Sequence, residues 1–193
     1  MTFYPVYFLW HIILATLLIV GLYSLAVGIK ARERSFLFYT AYSFLLLFYV
    51  SLKGPYNSEN FETALYQSTL NILYWYIQVI YNLLYFWFFI YFLDVKTQKP
   101  LFSKRLSQFL IVLLVISTGT AILSLFLNKI AWFEHFFSLA FSPLAFLAAL
   151  FVLWRTFSIK GKLKYFFIAG SSFYLFFAII ALAWSNIADD FDA

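Results

Sequence analysis

Four side-chain amides recur along one uncharged stretch of the chain, at spacings of four, seven and four residues. They belong to Gln67, Asn71, Gln78 and Asn82. This spacing places all four on one stripe of an α-helix, with Tyr74 and Tyr81 close to it. Polar groups inside a bilayer must find partners, and two interpretations are open. The amides form hydrogen bonds between helices, each contributing about 0.6 to 2 kcal/mol, or they line a pocket for a polar ligand.

A histidine near the start of the first apolar block is a further candidate. Three roles are open for His11: a proton-sensitive switch, a metal ligand, or an interfacial residue bonded to a neighbouring amide. From these side chains we predict a ligand pocket centred on two amides and bordered by four other residues. The pocket comprises Gln78, Asn82, Asn71, His11, Tyr74 and Tyr81.

Catalytic and metal-binding patterns are lacking in the sequence. The chain has no cysteine and only two histidines, so neither a thiolate nucleophile nor a metal centre is expected. Glu134 and His135 are adjacent, but neighbours in sequence point in different directions on a helix. No serine-hydrolase, zinc-protease or phosphate-binding motif occurs. We therefore predict a protein that is not an enzyme, with no catalytic residue and no cofactor.

The composition indicates which elements must hold these side chains. Hydrophobic residues make up 65% of the 193 residues and charged residues 11%, against roughly half and a quarter in soluble domains. Aromatic residues make up 25%, and their amphipathic rings favour the membrane boundary as well as helix packing. The sequence predicts an integral membrane protein of the all-α class, whose main partner is the lipid bilayer.

Uncharged blocks long enough to cross about 30 Å of hydrocarbon define a polytopic bundle of six transmembrane helices. The predicted helices cover residues 6–29, 35–52, 67–93, 106–127, 136–154 and 165–187. The polar interval from Tyr56 to about Gln67 is expected to be an exposed loop. We predict that residues 1–193 form a single transmembrane domain.

The basic residues predict the orientation of this bundle. Of the 13 Lys and Arg residues, all but Lys53 and Lys129 lie in the breaks after helices one, three and five. Basic loops are retained on the cytoplasmic side, so both termini are predicted on the outer, periplasmic side. The net charge of +5 is accounted for in the same way, and nucleic acid is not expected as a partner.

Three stretches resemble the membrane domain of bacterial seven-transmembrane receptors with diverse intracellular signalling modules. In the first hairpin, a helix with small residues is followed by a charged turn and an aromatic run. Helix two ends in a loop that contains glycine. The aromatic third helix is followed by a basic loop that contains proline. These stretches are Gly21–Ser24 with Lys30–Tyr39, Lys53–Tyr56, and Tyr85–Asp94 followed by Lys99, Pro100 and Lys104.

The resemblance implies a sensory domain of the bacterial inner membrane that passes a stimulus to a cytoplasmic signalling output absent from this chain. In such receptors a seventh helix leads inward to the output. We therefore expect a further helix beyond residue 193 and a larger natural protein. The alternative is a non-catalytic structural or accessory subunit of a larger membrane complex. Other membrane-protein subunits or a second copy of the chain would then be its partners.

Overall fold

The computed structural model describes residues 5–52, 70–172 and Phe176, and within these residues every regular element is a helix. We number the helices in chain order. They are α1 (Pro5–Ala31), α2 (Arg34–Leu52), α3 (Leu70–Phe92), α4 (Val95–Gln98), α5 (Pro100–Phe126), α6 (Ile130–Phe136), a π-helical turn (Phe137–Phe141), α7 (Ser142–Thr156) and α8 (163–172).

Five segments of the described chain are long and apolar enough to cross a membrane: Trp10–Ala31, Arg34–Leu52, Asn71–Phe92, Pro100–Phe126 and Ile130–Thr156. The prediction of an all-α, polytopic transmembrane bundle is confirmed. The expected loop after helix two and most of the sixth predicted helix lie outside the described residues.

Helix α5 begins at Pro100, before the predicted start at residue 106. Proline favours the first turn of a helix, because its missing N–H would have no partner there and its φ angle already suits the helix. The charged residues Lys104 and Arg105 therefore extend the helix beyond the apolar block from which its start was predicted.

Tight turns follow three of the described helices. Arg32, Asp94 and Asn128 adopt positive φ angles of 55°, 47° and 51° in the three turns that follow α1, α3 and α5. The backbone N–H of Glu33 donates to Gly28 O at 3.2 Å, and that of Lys129 donates to Ser124 O at 2.9 Å. Short connections leave successive helices antiparallel, and α1 packs on α2 and α3 on α5. Helix α2 also packs on α3.

Small residues bring α1 and α2 together. Gly21, Ser24 and Gly28 are buried on α1 and follow one helical stripe. The hydroxyls of Ser24 and Thr40 are hydrogen-bonded at 2.9 Å, which joins the two helices directly. Small side chains let helix backbones approach closely in lipid, where the hydrophobic effect does not drive helices together.

Helix α5 buries one stripe with spacings of three and four residues. The stripe consists of Ser103, Leu106, Leu110, Leu113, Ser117, Ala121 and Ser124. Helix α3 is buried on more of its surface than the other spans, with Val79 and Phe89 fully enclosed. It contacts α2, α5, α6 and the π-helical turn, and therefore forms the centre of this part of the chain.

The chain divides into two compact units, Met1–Phe146 and Leu147–Ala193, with the boundary inside α7. In the second unit the guanidinium of Arg155 lies 5.5 Å from the ring centres of both Phe151 and Trp154. The ammonium of Lys164 donates to Phe157 O at 3.3 Å in the same unit. The single-domain organisation stays a prediction.

Candidate functional site

One face of α3 carries tyrosines that pack against α2. The rings of Tyr74 and Tyr49 stack at 5.0 Å, and the Tyr74 hydroxyl donates to the Tyr49 hydroxyl at 3.0 Å. The Tyr81 ring lies 5.6 Å from Tyr49 and 6.2 Å from Tyr42. Tyr74 and Tyr81, predicted as pocket residues, therefore take part in the contact between α2 and α3.

A second face of α3 carries the amide stripe, interrupted by a tryptophan. Asn71 and Gln78 are buried, with 3% and 7% of their surface exposed, and Trp75 lies between them. The half-buried Asn82 donates its side-chain N–H to the backbone oxygen of Gln78 at 2.7 Å. The structure thus brings Asn71, Gln78 and Asn82 together on one helix face, as their spacing requires. Gln67 lies outside the described residues.

Two hydrogen-bond donors on this face are buried without a partner. They are the side-chain amide nitrogen of Gln78, Nε2, and the indole nitrogen of Trp75, Nε1. Removing a polar group from water without giving it a partner costs about 1 to 3 kcal/mol. Because the two residues are three positions apart on the same helix, both side chains project from the same side of α3. We call Trp75 and Gln78 the donor pair.

The π-helical turn lies opposite Trp75. The indole ring packs against Phe137 with ring centres 5.0 Å apart, and Phe137 stacks on Phe141 at 5.4 Å. The widened turn ends two residues before Pro143, whose ring would clash with the carbonyl four residues before it in a regular helix. Wide turns of this kind occur frequently at functional sites. The sequence did not predict a functional role for Trp75 or Phe137, although Pro143 inside an apolar block indicates an irregular helix.

A third face of α3 meets α5 and leaves a groove of about 250 Å³. It is lined by Ile72, Leu73, Tyr76, Thr118, Ala121, Ile122 and Leu125. The hydroxyls of Tyr76 and Thr118 are hydrogen-bonded at 2.7 Å across this contact. The polar groups of the groove are therefore satisfied, and the rest of its wall is apolar.

His11 is exposed on α1, the helix that packs against α2. The structure therefore places it on a different helix from the amide stripe. Among the described residues no three His, Asp or Glu side chains form a group that could hold a metal ion. The chemistry available on the buried face of α3 is hydrogen bonding by neutral groups, together with aromatic packing.

A family model described as 7TM diverse intracellular signalling matches residues 6–189. This match covers nearly the whole chain and confirms the resemblance carried by the first hairpin and the aromatic third helix. No curated protein and no solved structure matches the chain.

Proposed function

Because the chain belongs to the 7TM diverse intracellular signalling family, we propose that this multi-pass membrane domain senses a stimulus and passes it to a signalling output in the cytoplasm of a bacterium. The domain itself catalyses no reaction in this proposal. It resides in the inner membrane, with the basic turns after α1 and α3 on the cytoplasmic side. The family match is the observation on which the signalling role depends.

The stimulus acts at the buried amide stripe of α3. A receptor needs at least two arrangements that differ in affinity for the stimulus, since a ligand shifts an equilibrium only by that difference. Helix α3 contacts α2, α5, α6 and the π-helical turn, so a group bound on α3 affects the packing of several neighbours. The unpaired side-chain amide of Gln78 supports this location, because a bound group would supply the missing acceptor.

The test uses the natural gene in its own bacterium and requires no knowledge of the stimulus. Gln78 and Asn82 are replaced together by leucine, and transcript levels are compared with those of the wild type and of a deletion strain over a panel of growth conditions. We expect the double variant to behave like the deletion strain wherever deletion has an effect. The reason is that a receptor without its stimulus site cannot change state.

Thr120→Val is the matched control, since the Thr120 hydroxyl bonds only the backbone oxygen of Ile116 in its own helix. It also replaces a polar side chain in a membrane span. Immunoblots of the membrane fraction must show equal amounts of each variant. A double variant that is present at the normal level and responds like the wild type would reject the amide stripe as the site of the stimulus.

A further inference from the structure

The donor pair differs from the other polar side chains described in the membrane spans. Thr118, Thr120 and Thr156 each donate to the backbone oxygen four residues earlier. The hydroxyls of Ser117 and Ser124 are also buried without a partner, but rotation about one bond brings a serine hydroxyl to that oxygen. Trp75 Nε1 and Gln78 Nε2 are buried nitrogen donors, and neither has an acceptor within hydrogen-bonding distance in this structure. A bound molecule that carries an acceptor would satisfy both.

The surroundings of the donor pair are aromatic and uncharged. Trp75 lies against Phe137 and at 5.5 Å from the Tyr74 ring, in an edge-on arrangement. Helix α3 contains no Asp, Glu, Lys or Arg from Leu70 to Phe92. The nearest charged or titratable side chains along α6 are Glu134 and His135, which precede the π-helical turn. A carboxylate ligand would find no basic partner on α3 and would lose its hydration on entering.

We propose that Trp75 and Gln78 donate hydrogen bonds to the oxygen of an uncharged, hydrophobic carbonyl compound that enters from the bilayer. This inference rests on the proposed sensory function and names the class of ligand for the same helix face. A carbonyl oxygen has two lone pairs and can accept both N–H groups at once. The rings of Trp75 and Phe137 would pack against the apolar body of the molecule, as is usual in small-molecule sites.

The ligand would act on the π-helical turn through Phe137. Phe137 contacts Trp75 on one side and Phe141 on the other, and both phenylalanines are buried. A molecule held by Trp75 changes the space available to Phe137, and therefore the relative stability of the widened turn and a regular α-helical turn. This contact provides a direct connection between the donor pair and a helix with an irregular backbone.

Benzophenone is a suitable probe because it is an uncharged hydrophobic ketone that forms covalent bonds with its neighbours under light. The full chain is purified, placed in lipid nanodiscs and irradiated with benzophenone, and the modified residues are mapped by mass spectrometry. We expect the modification to concentrate around the donor pair on α3 and in the π-helical turn. Labelling distributed in proportion to lipid exposure, with strong modification of α1 residues such as Ile19, would overturn the proposal.

Competition with fluorenone and fluorene tests the hydrogen bonds, because the two molecules share a ring system and only fluorenone has a carbonyl oxygen. We expect fluorenone to halve the labelling at a concentration in the membrane at least about tenfold lower than fluorene, given the usual net strength of two hydrogen bonds. The double variant Trp75→Phe, Gln78→Leu should abolish this difference, and Thr120→Val should preserve it. Equal competition by both compounds would contradict the proposal and favour a water molecule as the acceptor.

The two proposals can fail separately. If carbonyl binding is not detected but replacement of Gln78 and Asn82 still abolishes the transcript response, the ligand class is wrong and the sensory role stands. If fluorenone binds at the donor pair but the same replacement leaves the response unchanged, the site is real and the sensory role assigned to the amide stripe is wrong.

Discussion

At the scale of single residues, the polar side chains of the spans are of two kinds. Ser24 and Thr40 hold α1 against α2 through one hydrogen bond at 2.9 Å, so each of them satisfies the other. Gln78 is equally enclosed but its amide nitrogen has no partner. The sequence does not distinguish a paired polar side chain from an unpaired one, because only the fold determines whether a neighbouring helix supplies an acceptor.

This difference predicts opposite effects of two polar-to-apolar substitutions. Thr40→Val removes an interhelical hydrogen bond and should lower the free energy of unfolding by about 0.6 to 2 kcal/mol. Gln78→Leu removes an unpaired buried donor and should raise it by about 1 to 3 kcal/mol in the absence of ligand. The measurement is unfolding in mixed detergent micelles of increasing SDS content, followed by helical circular dichroism. A loss of stability in Gln78→Leu would favour the interpretation that the amide only joins helices.

At the scale of helices, the approach of α1 to α2 depends on Gly28. A Cβ atom at this position would lie 2.9 Å from Leu37 Cδ2 and 3.2 Å from Phe36 Cβ. The leucine methyl can move aside, but the Phe36 Cβ is fixed to the backbone of α2. We therefore expect Gly28→Val to lower the free energy of unfolding by about 1 to 3 kcal/mol, the usual cost of overpacking.

Gly119 on α5 offers the matched control, because a Cβ atom there would meet nothing within 4 Å. Gly119→Val should change the stability by only a few tenths of a kcal/mol, since valine and glycine differ modestly in helix propensity. Both variants are compared by the same unfolding measurement in detergent. Equal effects of the two substitutions would show that the cost is a property of the valine side chain, and would contradict a close contact at Gly28.

The sequence predicted the helical class and the shared face of Asn71, Gln78 and Asn82, because both depend on periodicity within one helix. It did not predict the π-helical turn or the contact between Trp75 and Phe137, which depend on packing between α3 and the segment before Pro143. Aromatic residues make up a quarter of this chain, so composition alone could not single out one indole. His11 illustrates the same limit, since sequence spacing gives no distance between residues of different helices.

At the scale of the whole molecule, the side of the membrane on which the basic turns lie determines which half of the bilayer contains the donor pair. Lys30 and Arg32 lie at the C-terminal end of α1, Lys96 lies in the short helix α4 that follows α3, and Lys129 follows α5. Gln78 lies eight residues after Leu70, about 12 Å along a helix that must cross about 30 Å of hydrocarbon. If the basic turns are cytoplasmic, the donor pair lies in the outer half of the bilayer, and a ligand would reach it from the outer leaflet.

Single cysteines at two exposed lysines test this orientation, and the chain has no native cysteine to interfere. In intact spheroplasts Lys129→Cys should react with a membrane-impermeant maleimide, whereas Lys96→Cys should react only after the membrane is permeabilised. The physical reason is that lysine-rich turns are retained on the cytoplasmic side, and Lys129 stands nearly alone on its side. The reverse labelling pattern would show that the bundle has the opposite orientation, with Gln78 in the inner half of the bilayer. A hydrophobic stimulus would then have to reach the donor pair from the cytoplasmic leaflet, and the same protein would report on the cell interior.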